Sequence, residues 1–121
     1  MFPQDEINQA VKECHELSKA AGWWDGVNLH RDTLVVPTKI ALIHSELSEM
    51  LEGDRKGIQD DHLPHLTMFE VEAADVAIRL FDLCGAKGVD LGQAIAEKLE
   101  YNRHRLDHKR EERVKAGGKT Y

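Results

Sequence analysis

Apolar residues recur every three or four positions along most of the chain, which is the spacing of one face of an α-helix. This pattern predicts four helices, over about residues 5–21, 37–53, 66–84 and 90–115. One short run, residues 33–36, has the composition of a strand, and no other segment competes with a helical assignment. The chain is therefore predicted to be an all-α protein, built as a small four-helix bundle.

Residues with strong positional preferences predict where these helices begin and end. Pro37 suits the first position of a helix, where its missing N–H is not needed. Gly53 and Gly85 follow apolar positions and are typical of helix ends. Asp90 and Gln93 have the spacing of a capping box, which predicts the start of the fourth helix.

Apolar stripes on the second and third helices predict how these two helices pack. The stripes consist of Ile40, Ile43, Leu47, Met50 and Leu51 on the second helix and Val71, Ala74, Ile78 and Phe81 on the third. Leu42 and Leu80 lie beside the stripes, so the apolar surface extends to another side of both helices. A single bundle of this size cannot cover so much apolar surface. We therefore expect a homodimer or a homotetramer.

Length and composition narrow the class of protein. With 121 residues, 41% of them hydrophobic, the chain is long enough for one folded domain over 1–121, with 115–121 as a flexible tail. The net charge of −6 argues against binding of nucleic acid, which requires a basic surface. No basic and then apolar leader opens the chain, and no apolar run approaches the roughly 20 residues that span a bilayer. Cys14 and Cys84 lack C-x-x-C spacing and are interpreted as reduced thiols. These features predict a soluble, cytoplasmic protein without membrane contact.

Two pairs of acidic residues border the apolar stripes. Glu46 and Glu49 are three positions apart on the second helix, and Glu72 and Asp75 are three apart on the third, so each pair shares a helical face. If the two helices pack antiparallel, the four carboxylates converge at the edge of the core and repel one another. A hard cation with oxygen ligands, such as Mg²⁺, relieves that repulsion. Because such pairs are common in an acidic chain, solvated helix faces are the alternative.

The residues around these pairs extend the pattern to most of the chain. The second helix contains Glu46-Leu-Ser-Glu49, the third Glu72-Ala-Ala-Asp75, and the fourth Lys98-Leu-Glu-Tyr101-Asn102-Arg103-His104-Arg105. Over about residues 23–108, these elements and their order resemble the MazG-like all-α nucleoside triphosphate pyrophosphatase family. The motif of that family is E-x-x-E followed at a distance by E-x-x-D.

This resemblance implies a fold, a metal and a reaction. The fold is a four-helix bundle that is commonly oligomeric. The metal is Mg²⁺, with Mn²⁺ as a substitute, and its implied ligands are Glu46, Glu49, Glu72 and Asp75. The reaction converts a (d)NTP to the monophosphate and pyrophosphate, with Glu46 or Glu49 accepting a proton from the attacking water. A role in removing non-standard or surplus nucleotides fits this reaction, while the preferred base stays open.

Further residues are candidates for binding the phosphates of the substrate. Lys98, Asn102 and Arg105 have the i, i+4, i+7 spacing of one face of the fourth helix, although a solvated basic face has the same pattern. Arg79 is predicted either to reach the same phosphates or to pair with Asp75 and Asp82.

Candidates for contact with the base precede the second helix. Trp23 and Trp24 lie in a glycine-flanked turn, and aromatic side chains near this region bind the base in similar pyrophosphatases. The alternative is that one or both indoles cap the core. His30 is a further candidate for contact with the base.

A second class of function is kept open by the same sequence. The chain would then be a non-catalytic helical module for oligomerisation, regulation or nucleotide binding, with its acidic residues solvated. Pyrophosphate release in the presence and absence of Mg²⁺ separates the two hypotheses.

Overall fold

The structure is a computed structural model that describes residues 1–105 and 109–119. Within these ranges it contains five helices and no strand. The helices are α1 (Gln4–Ala20), α2 (Val35–Lys56), α3 (Met68–Lys87), α4 (Leu91–His104) and α5 (Arg110–Arg113). The prediction of an all-α chain is confirmed. The run at 33–36 is not a strand, because its second half forms the first turn of α2.

Helix α2 is longer than predicted at both ends. It begins at Val35, two residues before Pro37, and it ends at Gly57, whose φ of 62° is left-handed. The prediction that Gly53 ends the helix is wrong, because Gly53 is buried inside α2. A Cβ atom at Gly53 would lie 2.8 Å from Met68 Cγ, so the missing side chain allows the end of α2 to approach the start of α3.

Helix α3 also extends past the glycine that was predicted to end it. Thr67 and Glu70 form a capping box at its start, with each side chain bonded to the backbone N–H of the other residue. Gly85 lies within the helix, where a Cβ atom would collide with His15 of α1. The helix ends instead at Gly88, which has a left-handed φ of 68°.

Helix α4 is shorter than predicted. Asp90 caps it by accepting a hydrogen bond of 3.0 Å from the Gln93 N–H, but the Gln93 side chain bonds to Glu97, so only half of the predicted capping box forms. The helix ends at His104, and Arg105 has an extended backbone with ψ of 135°. The predicted continuation to residue 115 is wrong. Beyond residue 101 the sequence is dominated by charged residues, so little apolar surface is available to stabilise a longer helix by packing.

The chain divides into two compact units. One unit is Gln9–Val89, in which α2 and α3 pack against each other. The other joins Met1–Asn8 to the chain from Asp90 onward. In this second unit Asn8 donates from Nδ2 to Asp90 Oδ1 and accepts the Gly92 N–H, at 2.8 and 2.9 Å. One domain over 1–121 stays a prediction, and residues 120–121 of the predicted tail lie outside the described residues.

The apolar stripes of α2 and α3 are less buried than predicted. Among the described residues only two hydrophobic residues are buried, Val11 with 5% and Leu83 with 6% of the surface exposed. Five of the nine stripe residues are exposed: Ile40, Leu47, Leu51, Ala74 and Ile78. The side of α3 that faces Glu46 of α2 carries Glu72 and Asp75, and the other four stripe residues are half-buried: Ile43, Met50, Val71 and Phe81.

Two further features of the described residues bear on the sequence analysis. Cys14 and Cys84 are free thiols, and burial raises the pKa of each. None of the helices in 1–105 or 109–119 combines the length and the apolar character that a membrane crossing requires.

Candidate metal centre

Helices α2 and α3 bring three of the four predicted metal ligands together. Glu46 of α2 and Glu72 and Asp75 of α3 each offer a carboxylate oxygen, and these oxygens lie within 4.8 Å of one another. The three-residue spacing places Glu72 and Asp75 on one face of α3, and the packing of α2 adds Glu46 to it. This set of three side chains is called the carboxylate triad below.

Burial makes the triad electrostatically unusual. Glu72 is only 9% exposed, and its Oε2 atom is buried without a hydrogen-bond partner. Burial, together with a hydrogen bond to Glu46 and the charges of Glu49, Glu46 and Asp75, raises the pKa of Glu72 to about 8. Burial and the charge of Glu46 also raise the pKa of Asp75. The protein therefore holds acids where a carboxylate without a counter-charge is unfavourable.

The chemistry of the triad is compatible with a hard divalent cation. All of its donors are carboxylate oxygens, which are the ligands that Mg²⁺ and Mn²⁺ favour. A buried oxygen without a partner normally costs stability, and a cation coordinated by Glu72 would satisfy it. On this observation the residues present fit the metal that the family resemblance implies.

Glu49, the fourth predicted ligand, lies outside the triad. Its side chain is exposed, and together with Glu72 it lines a cavity of about 450 Å³ between α2, the α2–α3 connection and the start of α3. The charge of Glu49 is among the causes that raise the pKa of Glu72.

Arg79 pairs with a member of the triad that was not its predicted partner. Its Nε atom lies 3.1 Å from Glu46 Oε1, and the Glu46 side chain is 12% exposed. The predicted pairing with Asp82 is wrong, because Asp82 Oδ1 accepts hydrogen bonds from two other side chains. These are His15 at 2.8 Å and the Trp24 indole at 2.9 Å.

The two tryptophans have different environments. Trp24 is fixed by its bond to Asp82, and Lys39 Nζ lies 4.7 Å from the centroid of its ring. Trp23 is 70% exposed, and the same Lys39 atom is 5.9 Å from its ring centroid. Trp24 and His30 line one cavity of about 710 Å³, whereas Trp23 lines another of about 480 Å³.

The predicted phosphate contacts of the fourth helix lie in the other unit. Lys98 Nζ is 4.7 Å from the centroid of the Tyr101 ring, and Asn102 Oδ1 is buried without a hydrogen-bond partner. Arg105 lies beyond the end of α4 in extended backbone, so its predicted place on a helical face with Lys98 and Asn102 is wrong. Their roles in substrate binding stay predictions.

Three residues hold the tryptophan turn, and the sequence analysis gave no role to two of them, His15 and Lys39, while it assigned Asp82 only as a partner of Arg79. Lys39 contacts both indoles, while His15 and Asp82 fix Trp24. These residues come from α1, α2 and α3, so no short spacing in the sequence connects them. The signal that the sequence does contain is the seven-residue spacing between Asp75 and Asp82, which places both acids on the same face of α3.

The chain matches no protein-family model, no curated protein and no solved structure. The family resemblance therefore depends on the quoted motifs and on their order along the chain.

Proposed function

We propose that this protein is a Mg²⁺-dependent nucleotide pyrophosphohydrolase that converts a (d)NTP to a (d)NMP and pyrophosphate. The observation that carries the proposal is the carboxylate triad, in which Glu72 holds a buried oxygen without a partner. The family motifs E-x-x-E and E-x-x-D coincide with these residues and support the same reaction.

Each acidic residue has a part in the proposed reaction. Glu46, Glu72 and Asp75 hold the cation, with Glu49 at the edge of the adjoining cavity. The chemistry that Mg²⁺ supplies when bound is neutralisation of charge on the phosphate oxygens and activation of water. Water adds to phosphorus as the bond between the α- and β-phosphates breaks and pyrophosphate leaves. Glu46 or Glu49 accepts the proton that the water loses.

The nucleoside is proposed to lie toward the tryptophan turn. Asp82, which fixes Trp24, follows Asp75 by seven residues on α3, which is about 10 Å along the same helical face. A nucleotide with its phosphates at the triad would extend along α3 toward the cavity lined by Trp24 and His30. Arg79, which pairs with Glu46, is proposed to bind a phosphate oxygen once the cation neutralises Glu46.

The second candidate function is a non-catalytic module for oligomerisation, regulation or nucleotide binding. The exposed apolar side chains of α2 and α3 favour it, since they form a surface suited to association. They include Ile40, Leu47, Leu51, Phe69 and Ile78, each at least 39% exposed.

Pyrophosphate release separates the two functions. Purified protein is incubated with a mixture of dNTPs, with Mg²⁺ and with chelator, and the products are resolved by anion exchange. Pyrophosphate and monophosphate that form only with Mg²⁺ support the enzyme. Nucleotide binding without turnover at any Mg²⁺ concentration would favour the module instead.

The protein is expected to form a dimer, or a tetramer built from dimers, with the nucleotide pocket close to a subunit boundary. Association would cover the exposed apolar surface of α2 and α3, which a single chain leaves in water. Light scattering at low micromolar concentration measures the mass of the protein, and an active monomer would contradict the expectation.

Mixing Glu49→Ala with Lys98→Ala protein tests whether the nucleotide pocket lies at a subunit boundary. Restored activity after subunit exchange indicates a site shared by two chains, and strictly additive activities argue against one.

A further inference from the structure

One carboxylate oxygen of α3 fixes two aromatic rings within the unit Gln9–Val89. Asp82 Oδ1 accepts hydrogen bonds from His15 Nδ1 at 2.8 Å and from the Trp24 indole N–H at 2.9 Å. The side chains of His15 and Asp82 are only 16% and 13% exposed. The imidazole and the indole meet edge to face, with ring centroids 5.5 Å apart and an angle of 74° between the ring planes. The position of each ring therefore depends on the other ring and on Asp82.

Both rings also have contacts outside this hydrogen-bonded group. Helix α3 comes so close to α1 at Gly85 that a Cβ atom there would collide with the His15 side chain. Lys39 Nζ lies 4.7 Å from the centroid of the Trp24 ring. His15 and Trp24 line the same cavity of about 710 Å³, which is called the Trp24 cavity below. This cavity therefore has a wall of two rings, and the groups that support them do not line it.

The bond to Asp82 also determines which nitrogen of His15 can accept a hydrogen bond. An ionised carboxylate only accepts, so His15 Nδ1 must carry the proton that it donates to Asp82. In a neutral imidazole the second nitrogen, Nε2, is then an acceptor. Among residues 1–105 and 109–119, no group forms a hydrogen bond with Nε2. His15 therefore offers one free acceptor, in a side chain that lines the Trp24 cavity.

We propose that Asp82 is a positioning residue for a nucleobase in the Trp24 cavity. It orients the Trp24 indole against the base, and it holds His15 so that Nε2 accepts a hydrogen bond from an N–H group of the base. The inference deepens the proposed function and rests on its placement of the nucleoside toward this cavity. Because Asp82 fixes both rings before a ligand binds, little side-chain freedom is lost on binding. Neither acidic motif includes Asp82 or His15.

The hydrogen bond to Nε2 defines the chemical class of the ligand as a planar heterocycle with an N–H donor. Adenine has such a donor in its exocyclic amino group. Unsubstituted purine, linked to the sugar at N9, has the same rings and ring nitrogens but no N–H group. A site that is built around a hydrogen bond binds an analogue without the donor more weakly, because the acceptor is then left unpaired. The nucleosides 2′-deoxyadenosine and purine 2′-deoxyriboside therefore report on His15 Nε2 with little change in size.

The test measures binding of these two nucleosides to the parent protein, with chelator present. Neither nucleoside has a phosphate, so binding requires neither a metal in the triad nor turnover. The indole N–H signal of Trp24 is followed by NMR, and the Trp23→Phe variant identifies it, since the chain has two tryptophans. 2′-Deoxyadenosine is expected to bind at least about fivefold more tightly than purine 2′-deoxyriboside, which is the scale of one hydrogen bond. Equal binding of the two, or binding of neither, would overturn the proposal.

The substitution His15→Asn removes the acceptor and keeps the bond to Asp82. Asparagine has an N–H group that can donate to Asp82 but no atom in the place of Nε2. This variant should bind 2′-deoxyadenosine as weakly as the parent binds purine 2′-deoxyriboside. His44→Asn, at an exposed histidine of α2 outside the cavity, is the matched control and should bind both nucleosides as the parent does. A preference of parental size in His15→Asn would overturn the role of Nε2.

The substitution Asp82→Leu tests the positioning role, and Asp82→Asn is its conservative counterpart. Leucine removes the acceptor for both rings, so the preference for 2′-deoxyadenosine should be lost and the Trp24 signal should shift even without ligand. Asparagine keeps an oxygen that accepts from both rings, so the preference should return. A parental preference in Asp82→Leu would overturn positioning by Asp82, and so would an equal loss in both variants. If Asp82→Leu does not fold by circular dichroism, His15→Asn and Asp82→Asn decide.

Nucleoside binding and pyrophosphate release can fail separately. A nucleoside preference that depends on Asp82, without pyrophosphate release, would support this inference and remove the proposed hydrolysis. Pyrophosphate release without any nucleoside preference would overturn the inference and leave the hydrolysis standing. In an active enzyme, Asp82→Leu should raise KM for dATP at least about fivefold, on the same scale of one hydrogen bond, and change kcat less. An equal fall in kcat with unchanged KM would overturn a role in binding the base.

Discussion

Replacing Asp75 with alanine is expected to reduce Mg²⁺-dependent pyrophosphate release at least a hundredfold. Asp75 is a member of the triad and lies within 4.8 Å of the other two carboxylates. Its removal leaves Glu46 and Glu72 to hold the cation, and Glu46 is already paired with Arg79. Loss of residues that only support a metal ligand costs about 10- to 100-fold, so loss of a ligand should cost more. The measurement is kcat/KM for the best dNTP at increasing Mg²⁺.

Asp54→Ala is the control for this substitution. Asp54 is an exposed acid of α2 outside the triad and the cavity, so its removal changes the net charge equally. This variant should keep the parental rate. The metal-free Asp75→Ala protein should also melt no lower than the parent, because one repelling carboxylate is gone. A parental rate for Asp75→Ala at saturating Mg²⁺ would remove Asp75 from the set of ligands.

The acidic site was accessible to sequence reasoning because its geometry is local. Three-residue spacing fixes which carboxylates share a helical face, and only the antiparallel pairing of α2 with α3 had to be assumed. That pairing brought Glu46 to Glu72 and Asp75, as the carboxylate positions predicted. Glu49 is one helical turn after Glu46, which places it at the cavity and outside the triad. The register of two packed helices depends on tertiary contacts, and the spacing of residues within each helix does not determine it.

Helix ends were predicted less well, because glycine has two uses that the sequence does not distinguish. Gly57 and Gly88 have left-handed backbone and end their helices. Gly53 and Gly85 lie inside helices, where the absence of a Cβ atom admits Met68 and His15. Whether a glycine ends a helix or allows a second helix to pack closely against it depends on where that second helix lies. The same limit applies to Trp24, whose partner Asp82 is 58 positions away.

Several apolar residues of α2 and α3 that were predicted to be buried are exposed, and the proposed oligomer would cover them. Ile78 is 50% exposed although its spacing predicts burial. The faces that meet between α2 and α3 hold acids, and this arrangement is unfavourable for a core but suits a metal centre. Part of the apolar periodicity in the sequence is therefore interpreted as interface between chains, since helical spacing does not tell a core face from a face that binds another subunit.

Metal-free protein is expected to lose stability as the pH rises from about 5 to about 8. The pKa of Glu72 is about 8 in the folded chain, well above its ordinary value of 4.5. Between these two values the folded state keeps the proton that the unfolded state has released. The free energy of unfolding therefore falls with rising pH, by at most about 1.4 kcal/mol per pH unit and by a few kcal/mol in total. Above pH 8 both states are ionised and this contribution no longer changes.

The substitution Glu72→Gln isolates this effect, because glutamine has nearly the same shape and does not titrate. With chelator present, its free energy of unfolding should vary with pH less than that of the parent, and at pH 8 it should exceed the parental value. Glu72 binds Mg²⁺ only in its ionised form, and a larger fraction of Glu72 is ionised at pH 8 than at lower pH. Mg²⁺ should therefore stabilise the parent most at pH 8, and it should stabilise Glu72→Gln little. Urea unfolding at pH 5, 6, 7 and 8, with chelator and with Mg²⁺, measures all three effects. Glu13→Gln, which changes an exposed glutamate of α1, should follow the parent. Equal pH dependence in the parent and in Glu72→Gln would mean that the buried carboxyl does not hold its proton, and the electrostatic basis of the metal centre would then be wrong.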